Sequence, residues 1–441
     1  MEEGPQKKAY LITLGCPKNS AISEEIIRKL KRSGYVLQEE IDSSELILVN
    51  TCGFIESAKE ESINAILSLT DKKISEKKLV VFGCLVQRYK DDLTKAIPEV
   101  DIMMDFNDLN DIEKILGLSY KDNDKSIYYL SENRSWEYLQ ISDGCDRKCS
   151  FCAIPNIKGR YRSNELSKVI EEAELLVRGG ARELTLVGQD TSMYGLDLHN
   201  KTGLDELLSE LAMIDDLRWI RIMYQQIESL SSKVMEKMAG NPKICNYLDL
   251  PLQHSSRKIL RSMNRFGDDA IFLDAMGRIR KDIDDIAIRT SVIVGYPGES
   301  ESDFQGLIAF IEELEPDYLG VFEYSNEEGT KAAQMRGQKS ASLKRTRANT
   351  IREIADRIGV NKKMDMVGEE KKAIVDSKIE SGRYLGRLES QAPEIDGETV
   401  IYSSKRLKSG DMVRVAIEGT EGYDVNARLC NKSEMEQVEF S

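Results

Sequence analysis

The feature that most constrains this 441-residue chain is an alternation of strand and helix patterns in its first hundred residues. Three short apolar runs there are typical of buried strands, at residues 9–14, 46–49 and 79–82. Apolar residues at helical spacing lie between them, near residues 23–33 and 56–69. Strands that alternate with helices predict an open parallel α/β sheet, because each crossover needs a helix to return the chain.

Each of these three strands runs directly into a cysteine, at Cys16, Cys52 or Cys84. The carboxyl ends of parallel strands meet at one edge of a sheet, so the three thiols can converge. Gly15 and Gly83 would let the backbone approach a bulky group closely. Free cysteines often serve as small apolar core residues. Positions beyond the strand ends, rather than within the strands, favour an iron–sulfur cluster with three thiolate ligands.

A second cysteine set, Cys145, Cys149 and Cys152, lies on a loop after another predicted strand. Three thiolates at spacings x3 and x2 can wrap one iron–sulfur cluster and leave one iron without a cysteine ligand. The alternatives are a zinc site or an incidental cysteine-rich turn. Zinc would need a fourth cysteine or histidine nearby, and the whole chain contains only two histidines. The pattern therefore predicts a second cluster.

Composition indicates where such a protein works and what it binds. The chain begins without a secretory signal pattern and has no apolar run of about 18 residues, so we expect a cytoplasmic protein. Its eight cysteines are then expected to be reduced rather than paired in disulfides. The net charge of −14 disfavours nonspecific binding to phosphates and favours a basic protein partner.

Three domains are predicted along the chain. An α/β domain spans residues 7–118, and a polar linker occupies 119–134. The strand–helix alternation then resumes over 135–364 and predicts a partial (β/α)6 barrel. The expected barrel strands are residues 138–142, 183–187, 218–223, 246–250, 286–294 and 318–322, followed by a charged helix at 342–364. Short alternating runs between Gly and Pro turns over 365–432 predict a small antiparallel β-barrel.

The second cysteine set resembles the signature of the radical S-adenosylmethionine (SAM) superfamily, in which an aromatic residue, here Phe151, precedes the last cysteine. This resemblance implies that Cys145, Cys149 and Cys152 hold a [4Fe–4S] cluster. Its open iron would chelate the amino and carboxylate groups of SAM. Electron transfer from the cluster would then cleave SAM to methionine and a 5′-deoxyadenosyl radical.

Two glycine-containing stretches resemble further motifs of that superfamily. Residues 292–299 resemble the late motif that packs against the adenine, and residues 186–190 occupy the place of the motif that contacts the SAM amino group. The latter stretch departs from the usual Gly-Gly-Glu, and either stretch by itself would be an ordinary strand-to-helix turn. The cofactor-binding residues expected from these resemblances are Phe151, Gly188, Gln189, Asp190, Gly295, Pro297 and Gly298. His254 follows a barrel strand and has either an active-site or a plain hydrogen-bonding role.

The first cysteine set and its flanking residues, 14–19 and 50–55, resemble the N-terminal domain of the radical SAM methylthiotransferases. The order of the three domains matches that family over almost the whole chain, and its last domain is called TRAM. The resemblance implies two [4Fe–4S] clusters and two SAM molecules per product, one as methyl donor and one as radical source. It implies no catalytic side chain beyond the six cluster cysteines.

Two branches of that family compete. One modifies a tRNA adenosine beside the anticodon, and the other modifies the β-carbon of an aspartate in small-subunit ribosomal protein S-twelve. Several phrases resemble the second branch, at residues 16–19, 50–55, 152–155, 324–330 and 392–397. Residues 365–441 contain 11 Lys+Arg and 16 Asp+Glu, a net charge of −5, which would attract a basic ribosomal protein and repel tRNA.

Partners follow from the same resemblance. We expect ribosomal protein S-twelve as substrate, an electron donor such as flavodoxin or ferredoxin, and a monomeric protein that acts away from membranes. A two-cluster electron carrier without chemistry of its own is a further alternative. Such carriers complete each cluster with four thiolates, whereas both sets here contain three.

Overall fold

The structure is a computed structural model that describes residues 7–71, 77–119, 134–199 and 202–430. Nearly all of the predicted linker, residues 120–133, lies outside the described residues, as do residues 431 and 432 at the end of the predicted β-barrel. Contacts divide the chain into two compact units. The first comprises Met1–Ser131, Asp143–Arg162 and Ser325–Gln334, and the second comprises Glu132–Ser142, Ser163–Tyr324 and Met335–Ser441. No helix in the described part of the chain is long and apolar enough to cross a membrane.

A five-stranded parallel sheet forms the centre of the first unit. With elements numbered along the chain, its strands are β1 (Lys7–Thr13), β2 (Tyr35–Leu37), β3 (Leu46–Thr51), β4 (Lys78–Gly83) and β5 (Ile102–Met104). Their order is β2-β1-β3-β4-β5. The helices of this unit are α1 (Pro17–Arg32), α2 (Glu56–Thr70), α3 (Cys84–Ala96), α4 (Phe106–Leu109), α5 (Ile112–Leu116) and α6 (Ile154–Lys158).

Alternate residues of the central strands cover the two faces of this sheet. Ile47 and Val49 of β3 pack with residues of α2 and α3, whereas Leu46 and Leu48 pack with residues of α1 and α5. Successive side chains of a strand point to opposite faces, so a strand buried on both sides is apolar throughout. The sequence prediction of a doubly wound α/β domain is therefore confirmed.

The second unit contains two three-stranded parallel sheets, ordered β10-β9-β6 and β11-β12-β13. The strands in this part of the chain are β6 (Trp136–Gln140), β7 (Ser142–Asp143), β8 (Arg162–Ser163), β9 (Glu183–Val187), β10 (Trp219–Ile222), β11 (Tyr247–Gln253), β12 (Ala287–Val294) and β13 (Tyr318–Glu323). A single bridge, between Ile220 and Ile244, stands between the two sheets. All six predicted barrel strands are present, but the hydrogen-bonded ladder is interrupted between β10 and β11.

Helices follow the strands of this partial barrel. They are α7 (Leu166–Arg178), α8 (Leu204–Ala212), α9 (Ser232–Gly240), α10 (Arg257–Ser262), α11 (Asp269–Asp282), α12 (Glu301–Leu314) and α13 (Ala341–Asp365). Local signals explain where several of them begin. Ser300 and Asp303 form a capping box at the start of α12, which satisfies backbone amides that the helix itself cannot.

The remaining residues of the second unit form a closed five-stranded barrel in the order β14-β15-β16-β18-β17. Its strands are β14 (Glu370–Glu380), β15 (Arg383–Leu388), β16 (Thr399–Tyr402), β17 (Met412–Glu421) and β18 (Asp424–Leu429). The predicted small β-barrel is confirmed, with one difference. The pair β16–β18 is parallel, and the other four pairs are antiparallel. A loop leads from β16 to β17, which does not pair with β16, and the antiparallel pair β17–β18 then returns the chain so that β18 runs in the same direction as β16.

Candidate metal centres and cofactor site

The three cysteines of the first set lie at one edge of the five-stranded sheet. Cys16 caps α1 after β1, Cys52 directly follows β3, and Cys84 is the first residue of α3 after β4. The strands β1, β3 and β4 are neighbours, with β3 in the middle. Cys52 and Cys84 are buried and Cys16 is partly exposed. The fold thus brings together three thiols that are 36 and 32 residues apart along the chain.

Glycines let the loops that carry these cysteines pack against one another. A Cβ on Gly15, which has a φ of +99°, would lie 2.8 Å from the Cβ of Cys52. A Cβ on Gly53 would lie 2.6 Å from the Cα of Leu85. Neither position has room for a larger residue. The sequence analysis predicted this role for Gly15 but not for Gly53. The position of Gly53 directly after Cys52, a cysteine at a strand end, could have indicated it.

Asn19 fixes the geometry of these loops and was also missed as a site residue. Its Nδ2 donates to the carbonyl oxygens of Leu14, at 2.8 Å, and Thr51, at 3.1 Å. Its Oδ1 lies 3.8 Å from the sulfur of Cys84. The side chain is 1% exposed, and a buried amide that satisfies two strand ends holds them in one arrangement. A buried polar residue in the first turn of α1 cannot be recognised without knowing what packs on that turn.

Burial and the neighbouring thiols make Cys52 and Cys84 hard to ionise. Burial is the main reason that the pKa of Cys52 is raised to about 11 and that of Cys84 to about 12. The neighbouring Cys16 raises both pKa values further, and Cys52 does the same for Cys84. The three sulfur atoms are therefore close enough to affect one another. Metal binding would replace the protons and relieve this repulsion.

The second cysteine set lies in the Asp143–Arg162 segment of the same unit. The backbone N–H of Cys145 donates to Gly159 at 3.1 Å, which closes the segment into a loop. A Cβ on Gly144 would overlap the carbonyl oxygen of Arg160. Burial, which is the main cause, and the thiols of Cys149 and Cys145 raise the pKa of Cys152 to about 12. These three sulfurs, too, are close neighbours.

Residues next to the two cysteine sets contact each other within the first unit. Ala153 and Ile157, which follow Cys152, pack in one buried cluster with Cys84. Phe106 packs against this cluster, and the Nζ of Lys158 lies 3.3 Å from the centroid of its ring.

A single lysine reaches both sets. Burial raises the pKa of Cys52 and of Cys152, and the Lys18 ammonium group opposes that rise at both thiols. A cation shared by two thiol sets also suits two negatively charged clusters.

The donor atoms of both sets are thiols, which are the usual ligands of iron–sulfur clusters. Among the described residues, no three His, Cys, Asp or Glu side chains are arranged to hold one metal ion. A [4Fe–4S] cube takes each thiolate at a different iron, so its cysteines surround a volume instead of meeting at one point. Each set offers three neighbouring thiols, a number that leaves one iron of such a cluster without a cysteine ligand.

The structure places Phe151 with the cysteine loop of the first unit and the other six predicted SAM contacts in the second unit. Within the second unit, Gly188 directly follows β9, and a Cβ on it would overlap the Oγ of Ser142. The Oγ of Ser142 and the Oε1 of Gln189 are buried and have no hydrogen-bond partner. The Oε1 atoms of Gln225 and Gln226, after β10, are also buried without a hydrogen-bond partner. Buried polar atoms without partners suit a polar ligand that would satisfy them.

Gly295, Pro297 and Gly298 form a turn after β12. The backbone N–H of Gly295, at a φ of +73°, donates to the Oε2 of Glu299. His254 is completely buried. Its Nδ1 accepts from the backbone N–H groups of Ser255 and Ser256, both at 2.9 Å.

The orientation of His254 relates it to this turn. Since its Nδ1 is an acceptor, the neutral ring carries its proton on Nε2. That atom lies 3.7 Å from the Oε1 of Glu299. Both of these atoms are buried without a hydrogen-bond partner, so the active-site role and the hydrogen-bonding role of His254 both stay predictions.

Comparison with known proteins agrees with this architecture. The model described as radical SAM superfamily matches residues 139–311. The models described as uncharacterized protein family UPF0004 and TRAM domain match residues 8–105 and 367–430. A structure of the radical SAM methyltransferase TsrM from Kitasatospora setae, bound to tryptophan and a SAM analogue, has a TM-score of 0.51 and 12% identity. It covers 72% of this chain and 73% of its own. The chain thus has the fold of a radical SAM enzyme.

Full-length relatives identify the family. Ribosomal protein uS12 methylthiotransferase RimO from Acetivibrio thermocellus is 40% identical over 97% of this chain and 99% of its own length. The RimO proteins of Lachnoclostridium phytofermentans and Clostridium novyi are 39% and 38% identical over 95% and 97% of this chain, and 99% of each relative is covered. This chain belongs to the RimO family of radical SAM methylthiotransferases. The predicted resemblance to the ribosomal-protein branch is confirmed.

Proposed function

We propose that this protein attaches a methylthio group to the β-carbon of an aspartate in ribosomal protein uS12, the S-twelve protein of the small subunit. It uses two SAM molecules per product, one as methyl donor and one as the source of a 5′-deoxyadenosyl radical. The observation that carries the proposal is that one compact unit brings two sets of three neighbouring cysteines together. Membership of the RimO family supports the choice of substrate.

Each cysteine set has its own cluster in this proposal. Cys16, Cys52 and Cys84 hold one [4Fe–4S] cluster, and Cys145, Cys149 and Cys152 hold the other. When bound, the clusters and SAM supply radical chemistry, which is required because the C–H bond of the target carbon is not appreciably acidic. The protein holds the two sets in fixed positions and buries Cys52 and Cys84 away from water.

SAM is held by the residues expected from the superfamily motifs: Phe151, Gly188, Gln189, Asp190, Gly295, Pro297 and Gly298. The structure adds Ser142 to this set. An ammonium group is only a donor, so the unsatisfied Oε1 of Gln189 and Oγ of Ser142 suit the SAM amino group. Glycines at 295 and 298, both with positive φ, keep the turn after β12 free of side chains that would occupy a ligand's place.

The substrate and partners follow from charge and family. Residues 365–441 carry a net charge of −5, and a negative charge attracts a basic ribosomal protein. The enzyme acts as a cytoplasmic monomer and receives electrons from a small carrier such as flavodoxin or ferredoxin. The reaction's need for single electrons supports the carrier, and eight cysteines without a disulfide among them support the cytoplasm.

Mass spectrometry tests the substrate directly. We would compare uS12 and bulk tRNA from cells with and without this gene. Loss of the methylthio mass increment from the uS12 aspartate, with unchanged tRNA, is the expected result. Loss of a methylthio group from tRNA adenosine instead would move the chain to the sister branch and overturn the substrate proposal.

Cysteine variants test the two cluster sites. Cys16→Ala is expected to retain SAM cleavage and to lose product, because only the first cluster loses a ligand. Cys149→Ala is expected to lose both activities. Cys430→Ala, which removes a partly exposed thiol outside both sets, is the matched control and retains both. Product formation by Cys16→Ala at the wild-type rate would contradict the assignment of the first site.

A further inference from the structure

One short segment of the first unit contacts the surroundings of both cysteine sets. This segment, Ser325–Gln334, follows the last strand of the partial barrel in sequence but belongs to the unit that contains the cysteines. It includes Glu327, an acidic side chain that is 1% exposed. Fully buried carboxylates are rare unless they are paired, so the partners of Glu327 indicate what this segment does.

Two cations from the N-terminal helices pair with Glu327. Its Oε2 accepts a hydrogen bond from the Nη1 of Arg88 at 2.8 Å and lies 3.2 Å from the Nζ of Lys59. Its Oε1 accepts from the hydroxyl of Ser325 at 2.7 Å. Burial by itself would raise the pKa of Glu327, but the hydrogen bonds from Ser325, Arg88 and Lys59 outweigh it, so that the pKa is lowered. Glu327 is therefore a buried anion bound by two helices.

These helices follow the cysteines of the first set. Lys59 lies in the first turns of α2, shortly after Cys52, and Arg88 lies in the helix that Cys84 begins. The Nη1 of Arg88 also donates to the carbonyl oxygen of Gly53, the residue after Cys52, at 2.7 Å. One guanidinium nitrogen thus joins Glu327 to the backbone beside a proposed cluster ligand.

The other end of the segment contacts the second cysteine set. The backbone N–H of Ala332 donates to the carbonyl oxygen of Ser150, between Cys149 and Cys152, at 2.8 Å. The turn between Glu327 and Ala332 is fixed internally, since the Oγ1 of Thr330 donates to the carbonyl oxygen of Glu327 at 2.7 Å. Only five residues separate the contact with Arg88 from the contact with Ser150.

We propose that Glu327 is a positioning residue that sets the separation of the two cysteine sets and so of their clusters. The inference rests on the proposed function for the identity of the clusters. A buried, hydrogen-bonded ion pair has one preferred geometry, and loss of one partner leaves the other charges buried without compensation. A reaction in which one substrate carbon must reach two fixed centres is sensitive to displacements of about 1 Å, which cost on the order of 100-fold in rate.

Glu327→Gln tests this role, because it keeps the side-chain shape and removes the charge. After anaerobic reconstitution, the variant is expected to contain as much iron and sulfide as the wild type and to cleave SAM at the same rate without uS12. Methylthiolation of uS12 should fall on the order of 100-fold. The magnetic dipolar coupling between the two reduced clusters, measured by electron paramagnetic resonance, should change because it depends on their separation.

The adjacent acid provides a matched control. Glu328 is 70% exposed and lies 3.9 Å from the Nη2 of Arg88, so Glu328→Gln should leave product formation and dipolar coupling unchanged. Glu327→Asp keeps the charge, so its product formation and its dipolar coupling should lie between those of Glu327→Gln and those of the wild type. If Glu327→Gln does not fold, Lys59→Met provides a second test. It removes the cation that lies farther from Glu327 and is expected to shift the dipolar coupling by a smaller amount.

Either of two results would overturn the proposal. One is a dipolar coupling in Glu327→Gln that equals the wild-type value. The other is an equal loss of SAM cleavage and product formation, which would mean a general structural role. If the wild type forms no product with uS12, the proposed function fails, but the dipolar measurement still decides the role of Glu327 because it needs only the two clusters.

Discussion

Lys363, near the end of α13, is completely buried, although lysine ammonium groups usually remain solvated. Its Nζ donates to the hydroxyl of Tyr318 at 2.7 Å and lies 4.3 Å from the centroid of that ring. Burial lowers the pKa of Lys363 to about 8, against partial compensation from the carboxylates of Asp317 and Asp396. At the scale of single residues, a side chain's chemistry is thus set by what surrounds it.

The lowered pKa of Lys363 predicts a pH dependence of stability. The unfolded chain keeps this proton up to about pH 10.5, whereas the folded chain releases it near pH 8. Because the unfolded state binds more protons between these values, Lys363 should make the free energy of unfolding rise from pH 8 to pH 10. The rise is at most about 1.4 kcal/mol per pH unit.

Urea unfolding of wild type and Lys363→Met at both pH values measures this effect. The wild type should gain stability relative to the variant as the pH rises. Lys233→Met, at a mostly exposed lysine of the same unit, should show no such difference. A wild-type curve parallel to that of Lys363→Met would refute the prediction.

At the scale of elements, the turns between strands and helices carry the first cysteine set. Gly83 ends β4 with a φ of +105°, and a Cβ there would lie 2.5 Å from the carbonyl oxygen of Thr51 and 2.6 Å from the Oδ1 of Asn50. Only glycine adopts this conformation freely and leaves the neighbouring strand in place. Cys84 is the next residue, so its position depends on this turn.

We therefore expect Gly83→Ala to destabilise the first unit and weaken its cluster site. The left-handed backbone costs about 1–2 kcal/mol, and the overlap with Thr51 adds about 1–3 kcal/mol. Gly34→Ala is the control, since Gly34 has a φ of +84° with no atom within 4 Å of the added Cβ, and it should show only the first cost. Urea unfolding measures the loss of stability in each variant, and iron content measures the weakening of the cluster site. Equal losses in the two variants would mean that the overlap is relieved at no cost.

At the scale of the whole molecule, a buried ion network joins the C-terminal barrel to the partial barrel within the second unit. Glu183, the first residue of β9, pairs with Arg221 of β10 at 2.8 Å and with Arg387 of β15 at 2.6 Å. Arg387 also pairs with Asp376 of β14 at 2.7 Å. Glu183 and Arg221 are completely buried, so each charge depends on the others for compensation.

Glu183→Gln should accordingly destabilise the second unit by about 3–5 kcal/mol, because it leaves two buried guanidinium groups short of negative charge. Glu418→Gln breaks a pair with Arg428 whose side chains are exposed, and its effect on stability should be much smaller because water screens the interaction. Thermal unfolding of both variants measures the contrast. Similar melting temperatures would show that the buried network does not stabilise the contact between the two barrels.

Local pattern accounts for much of the architecture. The apolar runs predicted each strand that precedes a cysteine of the first set, and β9 agrees with its predicted bounds at both ends. The fold class and the family are confirmed, since strand and helix periods and short cysteine spacings are local properties of a sequence. The domain boundaries and the cluster and SAM ligands stay predictions. Contacts group residues 143–162 and 325–334 with the N-terminal sheet, which a division into consecutive segments cannot express.

Which elements form, and which side of each element is apolar, could be read from the residue pattern because these properties depend on neighbours a few residues apart. Tertiary structure alone decided the partners. Nothing near Glu327 in sequence reveals that it meets Arg88, 239 residues away, or that Lys363 and Glu183 are buried. Burial and charge compensation arise from contacts between distant segments, and those contacts exist only once the chain has folded.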